Sequence, residues 1–368
     1  MVESFAIINR KALGPIRARI TLGLFFAATA FFVAITLSPL RSGFADAASR
    51  GPGDVALYRA EVDRMRQGES YYEAAAAELR ERGYPTRNVF NWRTPLPVWL
   101  IGKLPNIEFA QALLGATGLV LLCLSFKLLA EQASVKQALL GVFLLGGALL
   151  PSILGDLLVM SELWCGELIA LSAVAFALER NRLGVVAAIG ALFFRELAAP
   201  YVLVCLALSG WERRYRELAL WGIGLAAYAV FYAAHFAHVL PRITPDDIAH
   251  ADGWVRFGGA GFLISTVQMN AYLLLLPQWI TAVYLGCTLV GCAAWNTPAG
   301  RRISLPIVVY AITMSLVGHD FNQYWGSVTA PLMCLAAARF PLRFAQLWRA
   351  AEGGPLMTGR LEAKASSG

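Results

Sequence analysis

The sequence predicts an all-α fold: a polytopic transmembrane helical bundle of about nine to eleven membrane segments, with interfacial helices outside the membrane after the first span. Three observations carry this. Of 368 residues, 58% are hydrophobic and only 15% charged, against roughly a quarter charged in an average soluble protein. The mean hydropathy is +0.57, leaving too little polar surface to cover a soluble globule. Finally, apolar runs of span length follow one another, separated by short basic turns. A secreted scaffold, a disordered chain and an ordinary cytosolic enzyme are excluded.

The net charge is +7, from 31 Lys and Arg against 24 Asp and Glu. In a membrane protein that excess belongs to cytoplasmic turns and tails. No basic run resembles a nucleic-acid patch, so no nucleic-acid partner is expected. The six cysteines (Cys123, Cys165, Cys205, Cys287, Cys292 and Cys334) lie in or beside apolar segments and form no CxxC. With four histidines in the chain, no disulfide framework, metal site or cofactor is expected.

The first span runs from Ile20 to Leu37. Arg10, Lys11, Arg17 and Arg19 precede it and put the N-terminus in the cytoplasm. Ala45-Asp46-Ala47 could pass for a cleavage site, but the apolar run is longer than the h-region of a signal peptide, which favours a retained anchor. Residues 40–95 form a first external loop, with nine Arg and eight Asp or Glu between Arg41 and Arg93. Two helices are predicted in it. Asp54 to Gln67 puts Val55, Tyr58, Val62 and Met65 on one stripe before Gly68, and Tyr72 to Arg82 is Ala-rich and stops at Gly83. Apolar runs follow near 107–129, 137–154, 161–178, 183–208, 216–238, 271–295, 303–318 and 323–340. A second external loop spans 239–270, where the glycines of Phe257-Gly258-Gly259-Ala260-Gly261 read as a turn rather than a nucleotide cradle. Residues 341–368 form a cytoplasmic tail, and 1–368 is a single membrane domain.

Basic turns at Lys127–Lys136, Arg180–Arg182, Trp211–Arg216 and Arg301–Arg302 give a positive-inside layout. Segment 183–208 then begins and ends on one side. It should enter and return as two short helices bent near Arg195-Glu196 and Pro200, unless one flanking turn is external. Asp54, Trp92-Arg93, Asp156, Glu162, Arg195-Glu196 and His319-Asp320 then all collect at the external face. Such convergence of ionisable groups at one membrane face is a functional signal.

The order of motifs resembles a known class. Gly53-Asp54-Val55-Ala56-Leu57-Tyr58 leads to Gly68-Glu69-Ser70-Tyr71-Tyr72, then to Asn91-Trp92-Arg93-Thr94-Pro95-Leu96-Pro97. Further on come Gly166-Glu167, Phe194-Arg195-Glu196 with Pro200, and His319 to Tyr324 before Pro331. This resembles the GT-C fold of integral-membrane glycosyltransferases, in particular the polyprenol-phosphate-mannose-dependent mannosyltransferases. That family tends to carry D-x-x-x-Y, G-x-x-x-Y and an aromatic-Pro-Pro stretch. Here Pro-Leu-Pro replaces Pro-Pro, Glu167 stands where Gln is usual, and Arg195-Glu196 replaces a lone cation. The sugar and the acceptor are therefore left open.

The resemblance implies an inverting hexosyltransferase with a polyprenyl-phosphate-sugar donor, a lipid or glycan acceptor and no metal. It also implies a prokaryotic inner membrane with the active site external. Asp54 would be the general base that takes the acceptor hydroxyl proton; as a bare residue it also reads as a helix N-cap. Arg195 would hold the donor phosphate, since a guanidinium matches phosphate oxygens, or else form a structural pair with Glu196. Arg93 is a second phosphate candidate that could equally snorkel to the interface. Trp92 offers an apolar face to sugar or lipid, or sits at headgroup level. Tyr58, Glu196, His319, Asp320, Asn322 and Tyr324 are substrate-binding candidates, and so are Glu162 and Glu167, which could equally favour a helix start. His235-x-x-His238 has helical spacing for a metal, but Asp246, Asp247, His250 and Asp252 beyond it read better as a solvated loop. Two other classes stay open: a transporter or flippase for a lipid-linked substrate, and an acyltransferase with His319 as base.

Overall fold

The computed structural model describes residues 14–38, 53–249 and 256–353. Arg10, Lys11, the 45–47 site, the first part of the 40–95 loop, His250, Asp252 and the tail beyond 353 lie outside the described residues. The described chain is helical throughout and contains no strand. Four helices are long and apolar enough to cross a membrane: Pro15–Leu37, Ile107–Gln132, Val135–Ser152 and Tyr215–Arg242. Shorter apolar helices, Asn181–Phe194, Glu196–Trp211 and Gln278–Cys292, stand beside them. The apolar side chains that these helices leave exposed, among them Ile20, Leu24 and Phe31 on the first and Ile223 and Val230 on the fourth, form the outer surface of the bundle.

In chain order the helices are α1 (Pro15–Leu37), α2 (Gly53–Arg66), α3 (Tyr71–Glu81), α4 (Leu96–Lys103), α5 (Ile107–Gln132), α6 (Val135–Leu149), α7 (Ser161–Ala177) and α8 (Asn181–Phe194). There follow α9 (Ala199–Trp211), α10 (Tyr215–Val239), α11 (Gly259–Val267), α12 (Ala271–Leu274), α13 (Gln278–Cys292), α14 (Arg301–Leu316), α15 (Ala330–Ala337) and α16 (Phe340–Ala351). Helix α7 is the axis of the core: 15 of its 17 residues are buried, as expected of a helix that is apolar all round. It packs against α5, α8, α14 and α15.

Segment 183–208 turns back on itself. Helix α8 ends at Phe194, Arg195 is extended (φ −158°, ψ 125°), and α9 restarts with Pro200 in its first turn. Both ends of the segment lie at one end of the bundle. Gly184 abuts the Phe176 ring at the end of α7. That ring stacks on Trp221 of α10 at 6.5 Å, and the Trp221 indole donates to Ser209 Oγ near the end of α9 at 3.2 Å. The bend itself is fastened to α14, where the Tyr310 hydroxyl donates to Leu197 O at 2.6 Å.

Two stretches depart from the sequence reading. The glycine-rich piece of the 239–270 loop is not a turn; it opens α11, whose residues Phe262 to Val267 are all buried. The run 323–340 begins as a 3-10 segment, Asp320–Val328, and only then becomes α15. The two stretches pack closely on each other. A Cβ on Gly326 would lie 1.8 Å from Thr266 O of α11, and one on Gly166 of α7 would lie 2.2 Å from Ser327 O. Glycines let the 3-10 segment wedge between α7 and α11, too tightly for an α-helix with side chains on every face.

Candidate functional site

Helices α2 to α4 form a cap with its own core, built from Leu57, Val62 and Met65 of α2, Ala74, Ala75 and Leu79 of α3, and Val98 and Ile101 of α4. Local sequence sets this geometry. Asp54 sits in the first turn of α2 and Arg64 and Arg66 in the last, matching the helix dipole. Helix α3 starts at a capping box, with the Ser70 N–H donating to Glu73 Oε2 at 3.0 Å. It ends at Gly83, after which the Tyr84 N–H returns to Leu79 O at 2.8 Å. That return brings the Tyr84 side chain over Asp54.

Between the cap and the 3-10 segment lies a cavity of about 250 Å³, lined by Asp54, Tyr58, Glu61, Tyr84, Asn91, Arg93, His319, Asn322 and Tyr324 with apolar neighbours. This is slightly below the ~300–1,000 Å³ of drug-sized sites, a space for one small ligand. Asp54, Leu57, Tyr58 and Glu61 occur at i, i+3, i+4 and i+7, so α2 turns one face to the cavity. The Asp54 Oδ1 accepts from the Tyr84 hydroxyl at 2.9 Å. Burial and the adjacent Asp54 carboxylate hold that hydroxyl protonated, above its ordinary range.

Arg93 ties the two walls together. Its Nε donates to the Tyr58 hydroxyl at 2.7 Å and its Nη2 to the Tyr324 hydroxyl at 3.1 Å. Its Nη1 lies 3.7 Å from Glu196 Oε1, and its backbone carbonyl accepts from the Tyr71 hydroxyl at 2.5 Å. A narrower cleft next door shares Tyr58 and Arg93 with the cavity and reaches Arg195. Arg195 is 1% exposed. It contacts Glu196, and its Nε lies 2.7 Å from Glu162 Oε1, off the N–H axis, so this contact is an ion pair rather than a hydrogen bond.

The structure thus brings Asp54, Tyr58, Arg93, His319, Asn322 and Tyr324 around one cavity, with Arg195, Glu196 and Glu162 joined to them through Arg93. The other candidates fall outside. Trp92 is buried and its indole donates to Thr86 O at 3.0 Å, so it fastens the loop. Glu167 is buried on the side of α7 that faces Gly118 of α5. Asp320 opens the 3-10 segment and does not line the cavity. Asp54 lies within the first turn of α2, which begins at Gly53, rather than ahead of the helix as its cap. His235 meets the Tyr72 hydroxyl at 3.2 Å, and Tyr72 stacks on His238. Among the described residues no three His, Cys, Asp or Glu side chains gather as a metal site.

Three polar lining residues were missed from the sequence as site candidates: Tyr84, Asn91 and Glu61. Glu61 is 2% exposed, and its Oε2 has no hydrogen-bond partner. Neighbouring Glu78 takes both nearby cations, Arg64 at 2.6 Å and Arg82 at 2.9 Å. Burial first, and Glu78 second, push the Glu61 carboxyl up to about 8, with Arg93 pulling the other way. The cavity thus holds two carboxyls of different character: Asp54 bonded to a phenol, and Glu61 carrying a proton at neutral pH. Its spacing of seven from Asp54 was the available signal.

No family model, curated protein or solved structure matches the chain.

Proposed function

We propose that the protein is a membrane glycosyltransferase of GT-C type that moves a hexose from a polyprenyl-phosphate carrier to a lipid or glycan acceptor, with inversion. One observation carries the reading: a single small cavity faces a helix-borne carboxylate, Asp54, on one side and arginines, Arg93 and beyond it Arg195, on the other. This is the arrangement that a base-assisted displacement from a phosphate leaving group requires. Asp54 takes the proton of the acceptor hydroxyl while that oxygen attacks the anomeric carbon. The departing lipid phosphate develops charge that fixed guanidinium groups stabilise in a site shielded from water. Tyr84 orients the base through its hydrogen bond. Asn322, Tyr324 and His319 offer hydrogen bonds to sugar hydroxyls.

The same reading puts nine to eleven segments in a prokaryotic inner membrane, with both termini in the cytoplasm and the cavity external. The test is transfer of labelled hexose from polyprenyl-phosphate-hexose to membrane lipid, with the products resolved by mass spectrometry. Asp54→Asn should lower turnover by about 100- to 10,000-fold, the usual worth of a general base, while leaving the folded yield intact. Unchanged turnover in that variant would remove Asp54 and the mechanism with it.

A further inference from the structure

The end of the bundle opposite the cavity holds other buried cations. Most are neutralised: Arg302 pairs with Glu212 at 3.0 Å and Glu217 at 3.3 Å. Arg339, between α15 and α16, is different. It is 8% exposed, yet its Nε and Nη1 have no hydrogen-bond partner, and the same holds for Arg343 Nε and Trp295 Nε1. These groups are neighbours. The Arg339 guanidinium carbon stands 4.8 Å from the centre of the Trp295 ring, and Arg343 follows one helical turn on, its N–H bonded to Arg339 O at 3.1 Å. The Arg343 Nη1 donates to Gln346 at 3.3 Å. Among the described residues no carboxylate pairs with either arginine.

Buried N–H groups nearly always have an acceptor, and a buried guanidinium needs a counter-charge. Four unpaired donors with no carboxylate in reach describe a site for an anion. Guanidinium forks fit phosphate oxygens, and the indole N–H adds a donor that cannot itself be an acceptor. The surroundings choose the source of the phosphate. Helix α16 is amphipathic: Leu347 and Ala350 are buried against Ala18 and Leu22 of α1, while Trp348 and Arg349 face outward. Such a helix lies along the headgroup layer, and basic pockets between membrane helices at that depth hold lipid phosphates. The exposed apolar flank of α1 beside it, at Ile16 and Ile20, leaves room for acyl chains.

We propose that Arg339, Arg343 and Trp295 form a binding site for the phosphate of an anionic phospholipid headgroup, separate from the cavity and independent of the function read there. Native mass spectrometry of the full-length protein in mild detergent tests this, with titrations of phosphatidylglycerol, phosphatidylcholine and inorganic phosphate. Wild-type protein should hold phosphatidylglycerol at least about tenfold more tightly than phosphatidylcholine, because both present the same phosphate but the choline cation of phosphatidylcholine cancels its charge and is repelled by the arginines. Arg339→Gln with Arg343→Gln should abolish that preference. Trp295→Phe, which keeps the ring and removes only the N–H, should weaken it, and does so even if the arginine variant fails to fold. Arg349→Gln, an exposed charge on the same helix, should leave the preference unchanged. Equal loss in Arg349→Gln would mean diffuse attraction to charge and overturn the site. Wild-type protein that binds inorganic phosphate but shows no preference between the lipids would overturn the lipid.

Discussion

Glu61→Gln should make the protein more stable in alkali and leave it unchanged in acid. The carboxyl has an ordinary value of 4.5 and is lifted to about 8 in the folded chain by burial and by Glu78. The native state therefore keeps its proton over a range in which the unfolded chain has lost it. Stability is greatest below about pH 4.5, falls as pH rises toward 8, and levels off above that. Each pH unit between the two values is worth about 1.4 kcal/mol, so the ionised form weakens the fold by up to about 5 kcal/mol relative to the protonated one. Glutamine keeps the shape and the donor and cannot ionise. Melting temperatures in detergent, measured from pH 4 to pH 9.5, should coincide at pH 4 for wild type and variant. They should then separate by several degrees, with the variant higher. Taking the difference between the two curves cancels the other titrating groups. Parallel curves across the range would mean that Glu61 ionises normally, and would refute the reasoning from burial.

Arg195→Ala strips the buried Glu162 of its ion-pair partner at 2.7 Å, and should cost about 3–5 kcal/mol in denaturant titrations, as breaking a buried pair does. Arg195→Lys keeps the charge without the fork and should fall between Ala and wild type. Gly326→Ala would drive a methyl to 1.8 Å from Thr266 O, so folded yield by size-exclusion chromatography should collapse; a normal yield would show that the wedge can relax. Glu196→Gln should raise the affinity for polyprenyl phosphate in equilibrium binding, and an unchanged or lower affinity counts against Arg93 and Arg195 as the phosphate ligands.

The cap was legible almost to the residue. Its helices were expected over Asp54–Gln67 and Tyr72–Arg82 and run Gly53–Arg66 and Tyr71–Glu81, because strong periodicity and glycine stops coincide there. The reversal near Arg195 was legible from the charge of two turns alone. What was lost was lost for identifiable reasons. Helix α2 is buried over a wider arc than its apolar stripe, because both α3 and α4 pack on it, and Glu61 lies in that extra arc, at the edge of the cavity. Tyr84 follows a helix stop and belongs to no pattern. Helix α11 is short and begins in glycines, which read as breakers until the packing partner that needs them is known. Gly326 and Thr266 are far apart in sequence, and no local rule joins them.

The balance of charge beside the cavity places a condition on the donor reading. Arg93 and Arg195 face Glu162 and Glu196, two cations against two anions, so the pair is already neutral before a ligand arrives. Glu162 is as buried as Arg195, with side chains 2% exposed, and removing it would strand the arginine. Glu196 is the movable member: its side chain is 42% exposed and it contacts both guanidinium groups. A phosphate that binds these arginines therefore binds in place of Glu196. The exchange is feasible because a carboxylate and a phosphate present similar paired oxygens to the same fork. It also limits how tightly a phosphate can be held, since each binding event has to return Glu196 to solvent. Modest retention of this kind suits a group that leaves as product, whereas a site with two unpaired arginines would trap the released carrier.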